Sequence, residues 1–213
     1  MKILFQGDSI TDYHRDYGDT HDMGEGYARY ASAMIVDTFP DEDFEFVNLG
    51  ISGNRTSHLV ERLQSDFIDV QPDVVSILIG VNDVWHHFSH GIETTDEQFE
   101  ANLRTVLGAI KEKTSAKIMM IQPFLFEEVG TGITELLEEL SRKQAIFKRL
   151  ADEYADLYLP LDEILHEEMT EPQSYYSDDG VHPNSEGSCF IGEIYLRAIT
   201  PLIESLTKDD SAE

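Results

Sequence analysis

The sequence is poor in cysteine, in positive charge and in long apolar runs, and each shortage closes off a class of protein. A single cysteine, Cys189, in 213 residues permits no intrachain disulfide, which suits a reducing compartment. No apolar stretch approaches the length of a spanning helix, and the start, MKILFQGDSITD, holds no apolar run long enough for a secretory signal. The expected location is the cytoplasm. Lys and Arg number 15 against 42 Asp and Glu, a net charge of −27. Such a surface repels phosphodiester backbones and anionic bilayers, so neither nucleic acid nor membrane is expected as a partner. Nucleotide and zinc signatures are missing as well. No GxGxxG follows the first apolar run, and neither GxxxxGK[ST] nor HExxH occurs.

What is present reads as strand and helix in alternation. Residues 2–6, 44–48, 74–79, 117–122 and 156–159 are short apolar or β-branched runs bounded by turn residues. Helical spacing links Phe99, Leu103, Val106, Leu107 and Ile110 behind a Thr95-x-x-Gln98 capping box. It also links Leu136, Leu140, Phe147, Leu150 and Tyr154, and then Ile191, Ile194, Tyr195, Ala198 and Leu202 behind a cap expected at Ser185. This pattern predicts an α/β fold with a parallel sheet and helices on both faces. One domain over residues 1–207 and a frayed tail at 208–213 are expected. Polar loops are expected at 12–25 and 123–132, framing the carboxyl ends of the strands, where open α/β sheets bind ligands.

Four short stretches fall at those strand ends: Gly7-Asp8-Ser9, Gly50 to Asn54, Gly80 to Asp83, and Asp179 to Pro183. Each alone is ambiguous; Ser9, for example, also suits a helix cap, with Asp12 three residues on. Together they supply what acyl transfer requires. Ser9 is the candidate nucleophile, His182 its base, and Asp179, three residues earlier across a glycine turn, the orienter of the imidazole. Oxyanion donors are the Ser9 N–H, the Gly53 N–H and the Asn82 side-chain amide, with Gly53 expected to allow close backbone approach to the substrate.

These blocks, GDSIT at 7–11, GISGN at 50–54, GVND at 80–83 and DGVHP at 179–183, resemble the GDSL or SGNH hydrolases in order and spacing along nearly the whole chain. The resemblance implies a three-layer α/β/α, flavodoxin-like sandwich around a five-stranded parallel sheet, and a Ser9–His182–Asp179 esterase without cofactor or metal. A narrower similarity, through PDVVSILIGVNDVW at 72–85 and QPF at 122–124, is to intracellular acetylxylan esterases. That subgroup carries an aromatic residue just before the triad aspartate, where this chain has Asp178, with Tyr175 and Tyr176 close by. It is also compatible with a homo-oligomer.

Asp8, Arg55, Trp85, Phe124 and Phe126 are expected to contact substrate, the aromatics because they follow the third and fourth strands. Arg15 is a further candidate hydrogen-bond donor to substrate. His86, His87 and His90 have helical ligand spacing but are read as a solvated loop rather than a metal site. The polar 12–25 loop favours a small acyl group on a polar alcohol, so an acetylated sugar or oligosaccharide is the expected substrate. A short-chain carboxylesterase, thioesterase or lysophospholipase is the alternative within the class, and a non-catalytic carbohydrate-binding module the alternative outside it.

Overall fold

A computed structural model describes residues 1–129 and 134–210. Five parallel strands, β1 (Lys2–Gly7), β2 (Glu45–Asn48), β3 (Val74–Leu78), β4 (Lys117–Ile121) and β5 (Leu157–Leu159), form one sheet in the order β2-β1-β3-β4-β5. The sequence-predicted strands agree with these within a residue or two. Central β3 is buried along its whole length, as its almost continuously apolar character leads one to expect of a strand covered on both faces. Among the described residues the α-helices are α1 (Ser9–Asp12), α2 (Tyr27–Thr38), α3 (Thr56–Glu61), α4 (Val81–His90), α5 (Asp96–Lys113), α6 (Thr134–Tyr154), α7 (Leu161–Glu168), α8 (Gln173–Tyr176) and α9 (Ser185–Asp210), with a π-helical turn at Gln64–Ile68 after α3.

Alternation along β1 divides the core in two. Ile3 and Phe5 pack against Tyr27, Ala31 and Ile35 of α2 and Ile191, Ile194 and Tyr195 of α9. Leu4 faces the other way, toward Leu59 of α3, Phe99, Leu103 and Leu107 of α5, and Phe147 and Leu150 of α6. Helices therefore cover both faces of the sheet, giving three layers. The Thr95 capping box opens α5 with both of its reciprocal hydrogen bonds, Gln98 N to Thr95 Oγ1 and Thr95 N to Gln98 Oε1.

Four local readings are corrected. The last helix is capped by Asn184, whose Oδ1 accepts from Gly187 N, and Ser185 is its first residue. Its buried stripe continues through Ile199 and Ile203, while Ala198 and Leu202 are only partly covered. The three histidines lie on α4 rather than in a loop. Residues 208–210, expected in the tail, continue α9; 211–213, and 130–132 of the second expected loop, lie outside the described residues.

Topology places the site. After β1 the chain crosses to β2 on one side and returns to β3 on the other, so the crevice opens at the ends of β1 and β3. The register aligns Gly7 with Leu78 and Leu78 with Ile121, which brings those carboxyl ends level.

Candidate active site

At the end of β1, Gly7 lets the chain turn tightly into α1. A Cβ there would lie 2.3 Å from the Leu78 carbonyl oxygen and 2.4 Å from Thr11 Oγ1, so only glycine fits. Asp8 caps α1 by accepting from Ile10 N at 3.1 Å, and Ser9 becomes the first helical residue. Its Oγ lies 2.9 Å from His182 Nε2, and His182 Nδ1 lies 2.7 Å from Asp179 Oδ2. A carboxylate facing Nδ1 assigns the imidazole proton to that nitrogen and leaves Nε2 to accept from the serine hydroxyl.

The loop carrying His182 is held from several directions. Asp179 Oδ1 accepts from the backbone N–H of Val181 and His182 at 2.9 and 2.8 Å. Burial pushes the Asp179 carboxyl up, but the hydrogen bonds from the His182 side chain and these two amides outweigh it and hold its pKa below the ordinary value. Asp178, one residue earlier, is exposed. Buried Ser177 donates to the His182 carbonyl at 2.8 Å and accepts from Gly180 N at 3.0 Å. Tyr13 Oη donates to the Pro183 carbonyl at 2.5 Å, while Tyr13 N donates to the Ser9 carbonyl at 3.0 Å. One residue thus ties the end of the Ser9 helix to the histidine loop.

The second block is fixed by residues just beyond Ser9. Asp12 Oδ2 accepts from Ser52 N at 2.9 Å, from Ser52 Oγ and from Tyr17 Oη at 2.6 Å. Arg15 Nε donates to the Gly50 carbonyl at 2.8 Å. Gly53 takes φ +79°, and a Cβ there would meet no protein atom within 4 Å. That left-handed backbone conformation favours glycine. Asn82, in the first turn of α4, donates from Nδ2 to the Asn54 carbonyl at 3.1 Å. Asp83 beside it accepts from Thr56 N and Oγ1, so it holds the head of α3. Burial pushes the Asp83 carboxyl up to about 6 and that of Asp8 up to about 7.

Ser9 and His182 stand between two cavities. One, of about 250 Å³, is lined with them by Tyr13, His14 and Ser52. The other, about 380 Å³, holds Gly53, Asn82, Trp85, His86, His90 and Val181 as well. Ser9, Gly53, Asn82, Trp85, Asp179 and His182 are therefore brought together.

Phe124, Phe126 and Asp8 are not available to substrate. Both phenylalanines are fully buried as an edge-to-face pair, their rings 5.4 Å apart within the core, and Asp8 is buried beneath the serine as a cap. Arg15 is likewise buried and committed to Gly50. Arg55 sits half-buried at the head of α3, with Nη1 3.3 Å from Thr94 Oγ1. Sequence alone gives Tyr13, Ser52, His86, His90 and Val181 no place at the site. For the histidines the signal was there: Val81, Val84, Trp85 and Phe88 stand at helical spacing. His86 and His90 meet edge to face, and no group of three or more metal-binding side chains occurs among the described residues.

A model of the GDSL-like lipase/acylhydrolase family matches residues 5–188. The chain is 30% identical to an acetylxylan esterase of Geobacillus stearothermophilus over 207 residues, 93% of each protein. The crystal structure of that esterase superposes with a TM-score of 0.82 over 93% of both chains. A protein of Parabacteroides merdae described as a GDSL-like lipase is 33% identical, with a TM-score of 0.87 over 92% of this chain and 94% of that one. Thioesterase 1/protease 1/lysophospholipase L1 of Escherichia coli is 29% identical over 185 residues, 85% of this chain and 81% of that protein.

Proposed function

The chain belongs to the GDSL-like lipase/acylhydrolase family and is a carboxylic ester hydrolase, and on that premise we propose that it removes short acyl groups, acetyl above all, from carbohydrates through an acyl-enzyme on Ser9. The observation that carries the reading is the hydrogen-bonded chain from Ser9 through His182 to Asp179, open to cavities large enough for a sugar.

His182 Nε2 takes the Ser9 proton as Oγ attacks the ester carbonyl carbon. The oxyanion that forms is met by the N–H groups of Ser9 and Gly53 and by the Asn82 amide. Asp179 holds the imidazole in the required tautomer and balances the imidazolium. The C–O bond to the alcohol then breaks, and His182 returns its proton to the departing alkoxide. Water, deprotonated by the same nitrogen, attacks the acyl-Ser9 ester; collapse releases the carboxylic acid and restores the serine. No other group is needed for either half.

The alcohol is expected to be polar, because Tyr13, His14 and Ser52 border one side of Ser9 and Trp85 offers a flat apolar face on the other. The acetylxylan esterase similarity points the same way. A second reading, hydrolysis of longer acyl esters or thioesters, is favoured by the apolar hollow of about 110 Å³ among Trp85, Phe88 and Leu136. Acetate release from acetylated xylo-oligosaccharides, compared with p-nitrophenyl esters of rising chain length, separates the two. The acetyl reading expects rates to fall beyond butyrate; a maximum at octanoate or longer selects the second.

No helix among the described residues is long and apolar enough to cross a membrane, and a cytoplasmic location completes the proposal.

A further inference from the structure

Gly53 offers its N–H to the oxyanion, yet nothing packs where its side chain would be. A Cβ placed there would meet no protein atom within 4 Å, its φ is +79°, and among the described residues its N–H is given to no other group. A glycine so free of contacts cannot aim its own amide. Preorganisation must come from its neighbours, because that N–H lies in the Ser52–Gly53 peptide plane and moves with Ser52.

On the far side, Asn54 is buried and fixed. Its N donates to the Ile51 carbonyl at 3.1 Å, its Oδ1 accepts from Arg62 Nη2 at 2.9 Å, and its carbonyl accepts from Asn82 Nδ2. On the near side the hold falls to Asp12. Three residues after Ser9, Asp12 is spaced to close a capping box, but Asp8 is the cap of α1. The buried Asp12 carboxyl reaches across to the second block instead. One oxygen, Oδ2, accepts from Ser52 N at 2.9 Å and also from Ser52 Oγ. Two bonds to one residue fix its backbone and its side chain together. Asp12 also belongs to the turn that carries the nucleophile, since its N donates to the Asp8 carbonyl at 2.9 Å.

We infer that Asp12 is a positioning residue of the oxyanion hole: through Ser52 it aims the Gly53 N–H, and from α1 it keeps that donor in register with Ser9 Oγ. The inference rests on the oxyanion-hole reading and adds a residue on which the hole depends. Asp12 lines neither cavity beside Ser9, so it acts through Ser52 rather than on substrate. Its loss should weaken binding of the transition state and leave that of the ester unchanged.

The test pairs p-nitrophenyl acetate kinetics with inhibition by phenylboronic acid. Ser9 Oγ adds to the boron as His182 takes its proton, and a boron-bound oxygen falls where the oxyanion would. Asp12→Ala should lower kcat by about 30-fold, short of the roughly 10²–10³ lost with a whole donor, and leave KM within about threefold. Its Ki for the boronate should rise by a similar factor. Asp12→Asn keeps an acceptor for Ser52 and should stay within about fivefold of wild type in both measures. If Asp12→Ala does not fold, Ser52→Ala, which removes one of the two bonds, should cost about tenfold in both. A raised KM at constant kcat, or a lowered kcat with boronate inhibition unchanged, overturns the inference. Asn82→Ala separates it from the reading beneath. Where Asn82→Ala loses about 10²-fold and the Asp12 or Ser52 variant loses nothing, the hole stands and the role of Asp12 falls. Where neither loses activity, both fall.

Discussion

At the scale of single residues, catalysis turns on which carboxylate serves His182. Asp179 and Asp178 are adjacent in sequence, but only Asp179 has an oxygen 2.7 Å from Nδ1 and a second one accepting two backbone amides. Asp179→Asn should therefore lower kcat by about 10³-fold or more, because the amide favours the wrong imidazole tautomer. Asp178→Asn should leave it within about twofold, and equal losses would refute the assignment. Asp8 yields a prediction about stability. Burial first, opposed by Ile10 N–H and reinforced by Asp83, pushes its carboxyl up to about 7 in the folded protein, against about 4 when unfolded. Stability from this group is complete below about pH 4 and is lost as pH rises through about 7, where a buried carboxyl must ionise. Asp8→Asn keeps the capping oxygen and cannot ionise. Its Tm relative to wild type should rise between pH 5 and pH 8; a difference that does not change with pH contradicts the burial argument.

At the scale of elements, segments whose order is set by their own residues were legible, and those set by distant contacts were not. The five strands and α5 carry their signals locally, in apolar runs and in the Thr95–Gln98 box. In α4 the helical spacing of Val81, Val84, Trp85 and Phe88 was masked by the polar histidines and Ser89 between them. Phe124 and Phe126 follow a strand and so read as rim residues. The segment instead stays inside, where Phe126 N donates to the Gly180 carbonyl at 2.8 Å. Nothing local announces Tyr13 either, since its partner Pro183 is 170 residues away. That tie between α1 and the histidine loop makes Tyr13 a positioning residue. Tyr13→Phe should lower kcat about tenfold with KM nearly unchanged, as expected when a small displacement spoils alignment without removing a substrate contact. A rise in KM at constant kcat would show instead that Tyr13 binds substrate.

For the whole molecule, the parallel sheet makes four weak motifs into one site. Level strand ends at Gly7, Leu78 and Ile121, and the reversal of strand order beside β1, gather Ser9, Gly53, Asn82 and His182 around one crevice. That gathering was legible from the order and spacing of the blocks, because strand-end placement follows from topology. Acylation of Ser9 can be seen by pre-steady-state hydrolysis of p-nitrophenyl acetate with mass analysis of the quenched enzyme. The wild type should give a p-nitrophenol burst equal to the enzyme concentration whenever deacylation is the slower step, with a single acetyl adduct on Ser9, and Ser9→Ala should give neither. Turnover by Ser9→Ala at the wild-type rate, or an adduct on another residue, would contradict acylation at Ser9.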